Sequence, residues 1–151
     1  WSCKATAIEG AIQAEGATAV ADVLGGKKAV RTATLTFPVA KLDCDNGTMN
    51  NHMRKALDAT AHEAITFTLA DYDLAAATPT TGTLRGTLTI KGVAKPIALA
   101  ASFEAAGGAL RVTGSHALDM TEWEVAPPKL MLGTLKVREV VTVGFNLLLQ
   151  P

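Results

Sequence analysis

Three histidines, His52, His62 and His116, are the side chains best suited to hold a metal or move a proton near neutral pH. They fall on different predicted elements at no metal-ligand spacing, so a shared site would have to assemble in space. Each reads as a solvated or satisfied structural histidine. The carboxylates Asp43, Asp45, Asp71, Asp73, Glu122 and Glu124 gather at strand ends and turns, where such groups cap backbone or stay in water. Ser2, Ser102 and Ser115 lie in no Gly-x-Ser-x-Gly context that would expose a nucleophile. There is no P-loop and no Gly-rich turn between a strand and a helix, and Gly107-Gly108 fits a hairpin turn. The expectation is a protein that is not an enzyme and uses no cofactor and no metal.

Composition narrows the classes further. The 151 residues carry 14 Lys plus Arg and 14 Asp plus Glu, so the formal net charge is zero. No basic block tracks phosphates, and the two Trp, one Tyr and four Phe do not interleave with basic residues, which argues against nucleic acid as a partner. No apolar run approaches the length of a membrane-spanning helix. The length suits one domain over residues 1–151 built around a single core, with no linker dividing it. A chain that starts at Trp1 rather than Met reads as having lost residues upstream, by cleavage of an export signal or by trimming; the sequence does not separate the two. Cys3 and Cys44 make an even pair. Bridged, they close a loop of about 40 residues, worth on the order of 4 kcal/mol in the chain-entropy model. The alternative is two unrelated buried thiols.

The elements that must position any site are mostly strands. Short, alanine-rich segments near Lys4–Ile8 and Thr18–Leu24 precede a turn at Gly25–Lys28. A long strand then runs from Ala29 to Leu42, with Ala33, Leu35, Phe37 and Val39 on one face and Pro38 marking an edge or a bulge. Asp45-Asn46-Gly47-Thr48 combines turn chemistry with a cap, and Met49–Leu57 forms a short helix. On it, Met49, Met53, Ala56 and Leu57 share a face opposite Asn50, Asn51, Arg54 and Lys55. Strands follow at about Ala64–Leu74, Thr83–Ile90, Ile97–Ala105, Leu110–Leu118 and Leu135–Leu149. About eight strands and one helix suit an antiparallel barrel wide enough for one ligand, with a two-sheet sandwich as the competitor. Small residues on the strands (Ala33, Gly86, Ala98, Ala100, Ala101, Gly114) either leave space inside a barrel or let strands pack closely.

The stretch Thr81–Phe103, TGTLRGTLTIKGVAKPIALAASF, carries the most information. Leu84, Gly86, Leu88 and Ile90 alternate with Thr83, Arg85, Thr87 and Thr89; Lys91–Pro96 breaks the run; Ile97, Leu99, Ala101 and Phe103 resume it. This Gly-x-Leu-Thr-Ile-Lys-Gly-Val-x-Lys-Pro hairpin resembles the signature of the YceI-like family, which includes polyisoprenoid-binding proteins. Pro127–Val137 leading into Val141, Val143, Phe145, Leu147 and Leu149 is similar to the family's closing loop and last strand. Phe37–Leu42, Met49–Leu57 and Ile65–Phe67 resemble its strand, helix and next strand. The matches span Leu35–Leu149, and the first thirty or so residues match loosely.

The resemblance implies an all-β, lipocalin-like antiparallel barrel, with one short helix near residues 49–57, holding an isoprenoid or fatty-acid derivative in a periplasmic or secreted protein. An exported setting also favours the Cys3–Cys44 bridge. The lumen then lies against the helix and hairpin, so the expected lining is Met53, Leu57, Phe67, Leu88, Leu99 and Phe103. Trp123, in a loop comparable to one near the family's barrel end, either covers the cavity or packs against the outer wall. A homodimer is left open beside the monomer. The alternative function is a barrel with a filled core, serving as a structural or protein-interaction module without lipid.

Overall fold

β-branched and apolar residues alternating along five long segments bury one face of each and leave threonines and charges on the other, which commits the chain to a curled antiparallel sheet. In a computed structural model, residues 3–5, 9–14, 23–25, 30–75, 80–126, 129–130, 135–136 and 140–149 are described. In chain order the strands are β1 (Lys4–Ala5), β2 (Glu9–Ala14), β3 (Val30–Pro38) and β4 (Leu42–Asp43); after helix α1 (Gly47–Ala56) come β5 (Ala64–Ala75), β6 (Thr80–Ile90), β7 (Val93–Ala106), β8 (Ala109–Asp119), β9 (Lys129–Leu130), β10 (Leu135–Lys136) and β11 (Val140–Leu149). Seven of them form one antiparallel sheet in the order β11-β8-β7-β6-β5-β3-β2, a half-barrel. β1 pairs with β4 and β9 with β10 as small separate ribbons.

The central hairpin forms as the alternation requires, pairing from Thr80↔Phe103 to Ile90↔Val93. Its connection is shorter than the Lys91–Pro96 break suggests. Only Lys91 and Gly92 remain unpaired, with φ of 51° and 76°. Two successive positive φ values are the mark of a type I′ turn, whose twist matches that of the strands. Gly107 and Gly108 (φ 59° and 84°) make a second turn of this kind between β7 and β8. Pro96 sits inside β7, opposite Thr87. It is tolerated there because the β7–β8 register runs only from Ser102↔Thr113 to Ala106↔Ala109, so among the described residues no strand is paired beside Pro96 on that side.

Three expected strands differ in extent. The run Ala29–Leu42 breaks after Pro38 into a 3₁₀ turn, Val39–Lys41, before β4; Val39 N–H donates to the Glu63 carbonyl at 2.8 Å. Of the run Leu135–Leu149, β10 and β11 are described, and residues 137–139 lie outside the described residues. Of Thr18–Leu24, only Val23 and Leu24 are described, and they are helical; Ile8 also lies outside the described residues. α1 begins two residues before Met49 because Asn46 is its cap, accepting from Met49 N–H at 2.9 Å. Met49, Met53, Ala56 and Leu57 do face the core, with Met49 1 % exposed.

Cys3 and Cys44 are bridged across a separation of 41 residues. The bridge ties the start of β1 to the residue after β4, and the Cys44 N–H donates to Asn50 Oδ1 of α1 at 2.6 Å. Replacing both cysteines by serine is expected to lower the unfolding free energy by about 4 kcal/mol, from the loop length alone. Chemical denaturation of the oxidised protein and the double variant measures this. A difference below about 1 kcal/mol would mean that the unfolded chain is not the state the bridge constrains.

Candidate functional site: an apolar cavity on the concave face

The concave face is set by strand alternation, but two bulges reset its phase. In β5, Leu69 pairs with Gly86 and Asp71 with Arg85, so Ala70 is the extra residue. Ile65, Phe67 and Leu69 face inward before it, and Tyr72 and Leu74 after it. In β3, the pairing moves from Gln13↔Thr32 to Ala14↔Val30, and the skip at Arg31 brings Val30 onto the face of Ala33, Leu35 and Phe37. A one-residue insertion transfers every later side chain to the other face, and here it does so twice in favour of the interior.

The result is a cavity of about 80 Å³ between β3, β5, β6, β7, β8 and β11. Seven of its fourteen lining residues are leucines, and Tyr72 alone brings a polar side-chain atom. That hydroxyl accepts from the Val30 N–H at 2.8 Å and presents no polar surface to the cavity. Val23 roofs one end, and Thr80, 1 % exposed, donates its hydroxyl to the Leu24 carbonyl at 2.6 Å, fastening that roof to β6. The cavity offers a ligand dispersion contacts and desolvation and no hydrogen-bond partner.

The same face holds a second core at its other end, and this one is filled. Trp123 (2 % exposed) lies among Val39, Leu57, Ile65, Ile90, Leu118, Met120 and Val125. Its Nε1–H donates to the Leu88 carbonyl at 2.9 Å. Asp119 caps the 3₁₀ turn Met120–Trp123 through Thr121 N–H, and Glu124 in a left-handed conformation (φ 58°) ends it. Of the residues expected to line a lumen, Phe67 and Phe103 line the cavity. Leu57 and Trp123 are buried in the filled core, with Met53 and Leu88 packed against it. Leu99 is half-buried, paired with the cavity residue Leu84, between the two cores.

The small residues divide in the same way. Ala33 lines the cavity and Ala101 lies in the core beside it. Ala98 and Ala100 face solvent. At Gly86 a Cβ would meet the Thr68 carbonyl and lie 2.7 Å from Phe67 Cζ; at Gly114 it would meet the Ala100 carbonyl and lie 2.5 Å from Phe145 Cζ. Those two glycines admit aromatic rings. On the convex side Arg85 bonds Asp73 and lies 3.8 Å from Asp71, and the bond to Asp73 raises the guanidinium above its ordinary value. The group is exposed, so the pair contributes little. Among the described residues, no three His, Cys, Asp or Glu side chains converge on a metal position, and no helix is long and apolar enough to cross a membrane. Sequence reasoning missed Val30, Tyr72 and Leu74, which lie beyond the bulges; the signal that could have found them is the change of phase in the apolar positions, from Ile65, Phe67 and Leu69 to Tyr72 and Leu74 and from Val30 to Ala33, Leu35 and Phe37.

A family model described as a YceI-like domain matches residues 2–149. No curated protein matches. Among solved structures, the Campylobacter jejuni YceI protein is 16 % identical at a TM-score of 0.74, with 97 % of this chain and 82 % of that one covered. Burkholderia cenocepacia BcnA is 20 % identical at a TM-score of 0.73, over 97 % of this chain and 86 % of that one. At these identities the likeness is one of fold.

Gly86→Ala is expected to cost roughly 1–3 kcal/mol, since Phe67 or the β5 backbone has to shift. Trp123→Phe, which keeps a ring but removes the donor to Leu88, is expected to cost about 1–3 kcal/mol. Urea melts of each variant check both values. An unchanged midpoint for Trp123→Phe would show that water replaces the indole at the Leu88 carbonyl.

Proposed function

The chain belongs to the YceI-like family, and we propose that it binds one apolar chain, an isoprenoid or a fatty-acid derivative, inside the half-barrel, as a carrier or storage protein of the cell envelope. The observation that carries this reading is the cavity: its lining is leucine, valine, phenylalanine and alanine, with its single hydroxyl turned to a backbone N–H. Each methylene buried there contributes roughly 0.8 kcal/mol. A volume of about 80 Å³ accepts only the end of such a chain, so longer ligands enter by displacing lining side chains. Leucines at half of the lining positions allow that through rotamer changes. A periplasmic or secreted location is supported by the Cys3–Cys44 bridge, since disulfides persist in oxidising compartments. Binding rather than catalysis is supported by the histidines: His52 lies on α1, His62 against the Gly92 turn and His116 on β8.

One observation favours the filled-core reading as the second. A cavity of about 80 Å³ is smaller than the 150 Å³ or so that takes up benzene in an engineered core, and Phe67 and Phe145 already fill the space at Gly86 and Gly114. Mass spectrometry of an organic extract of the purified protein separates the two. Lipid is expected from the native chain, and much less from Val112→Phe, which adds a ring at a cavity position only 3 % exposed. A Val112→Phe protein that melts normally and yields the same amount of lipid would place the ligand elsewhere; an empty native extract would leave the filled core.

A further inference from the structure

Resting on the apolar-chain reading, we propose that this protein selects its ligand by tail length, taking a short straight tail, and that Phe67 and Phe145 set the limit. Along the long strands, filled core gives way to cavity at a definite place. On β5 the change falls between Ile65 and Phe67. On β6 it falls between Leu88 and Leu84, at Gly86. On β7 it falls at Leu99, after Ile97 of the filled end and before the cavity residue Phe103. On β8 it falls between Leu118 and Val112, where Gly114 lies.

Both glycines at this boundary are covered by a phenylalanine from the adjacent strand. A Cβ at Gly86 would lie 2.7 Å from Phe67 Cζ, and one at Gly114 would lie 2.5 Å from Phe145 Cζ. The Phe67 ring therefore reaches across β6 from one flank and the Phe145 ring across β8 from the other, with Leu99 of β7 standing between them. β11, β8, β7, β6 and β5 are consecutive in the sheet, so three large apolar side chains form a wall across five strands. Val23 closes the opposite end. A tail in the cavity is confined between roof and wall.

The wall resists a tail where the leucines do not. Each ring already rests on bare glycine backbone and cannot sink further. Behind Phe67 stands its register partner Leu88, which packs against the filled core. Beyond Phe145 the next inward residue of β11, Val143, is 44 % exposed, so a tail pushed past the ring emerges into water and gains no burial. Leucine rotamers widen the space between roof and wall without lengthening it. Inside the wall each added methylene raises affinity about fourfold, and beyond it the gain stops.

The test is calorimetric titration of the full chain with straight-chain carboxylates from hexanoate to palmitate, each below its aggregation limit. Native affinity is expected to climb about fourfold per methylene and to level off before palmitate. Phe67→Leu and Phe145→Leu each vacate part of a ring. Each is expected to move the levelling point later by about two methylenes and to raise palmitate affinity about tenfold. An affinity that climbs unbroken to palmitate in the native chain, or a levelling point that both variants leave in place, overturns the proposal while leaving apolar binding intact. If the leucine variants melt early, Phe67→Met, which keeps the volume on flexible bonds, decides in their stead, with the same later levelling expected. A native chain that binds none of the carboxylates overturns the apolar-chain reading instead.

Discussion

A strand can bury only one face, and a single inserted residue exchanges that face for the other. This constraint governs the whole molecule. β5 and β3 each carry one such insertion, at Ala70 and Arg31, and on the far side of each the inward set begins afresh with Tyr72 or Val30. Without the bulge in β5, Tyr72 and Leu74 would stand in water, and Asp71 and Asp73 would turn toward the interior, away from Arg85 on the convex face of β6. The cavity, its single hydroxyl and the polar convex surface all follow from the same two slips.

What the curl encloses is divided unequally. One end is closed by indole, helix and hairpin: Trp123 hangs on the Leu88 carbonyl, and Met53 of α1 and Leu57, the residue that ends it, pack in the same cluster. The other end is left with space because its leucines and valines and the rings of Phe67, Tyr72 and Phe103 line the volume without filling its centre. Packing density in a core is normally near that of an organic crystal, so a leftover volume whose exposed lining is apolar stays dry and favours apolar occupants.

Much of this was legible in the sequence, and the reasons are local. Thr83–Ile90 and Ile97–Phe103 alternate strictly about a Lys-Gly pair, and neighbouring residues alone dictate such a hairpin. The helix face of Met49, Met53 and Leu57 was equally readable. The lining was only half legible. Alternation tells which face a residue occupies but not how far along the curled sheet it sits, so Met53, Leu57 and Leu88 were grouped with Phe67 and Phe103 although one end of the face separates from the other. Bulges cost a strand one unpaired residue and show no composition of their own. The disulfide depended on contact across 41 residues, which no periodicity encodes.

The bridge has one more effect, and it concerns connectivity rather than stability. Residues between Cys3 and Cys44 form a closed covalent ring, and β2 and β3, the last two strands at one edge of the sheet, lie wholly within it. A protease that nicks the backbone once inside that ring opens it without shedding a fragment. The N-terminal piece stays joined through Cys3 to Cys44, while the other cut end remains on the backbone that carries Cys44, and only reduction after the nick lets the pieces part.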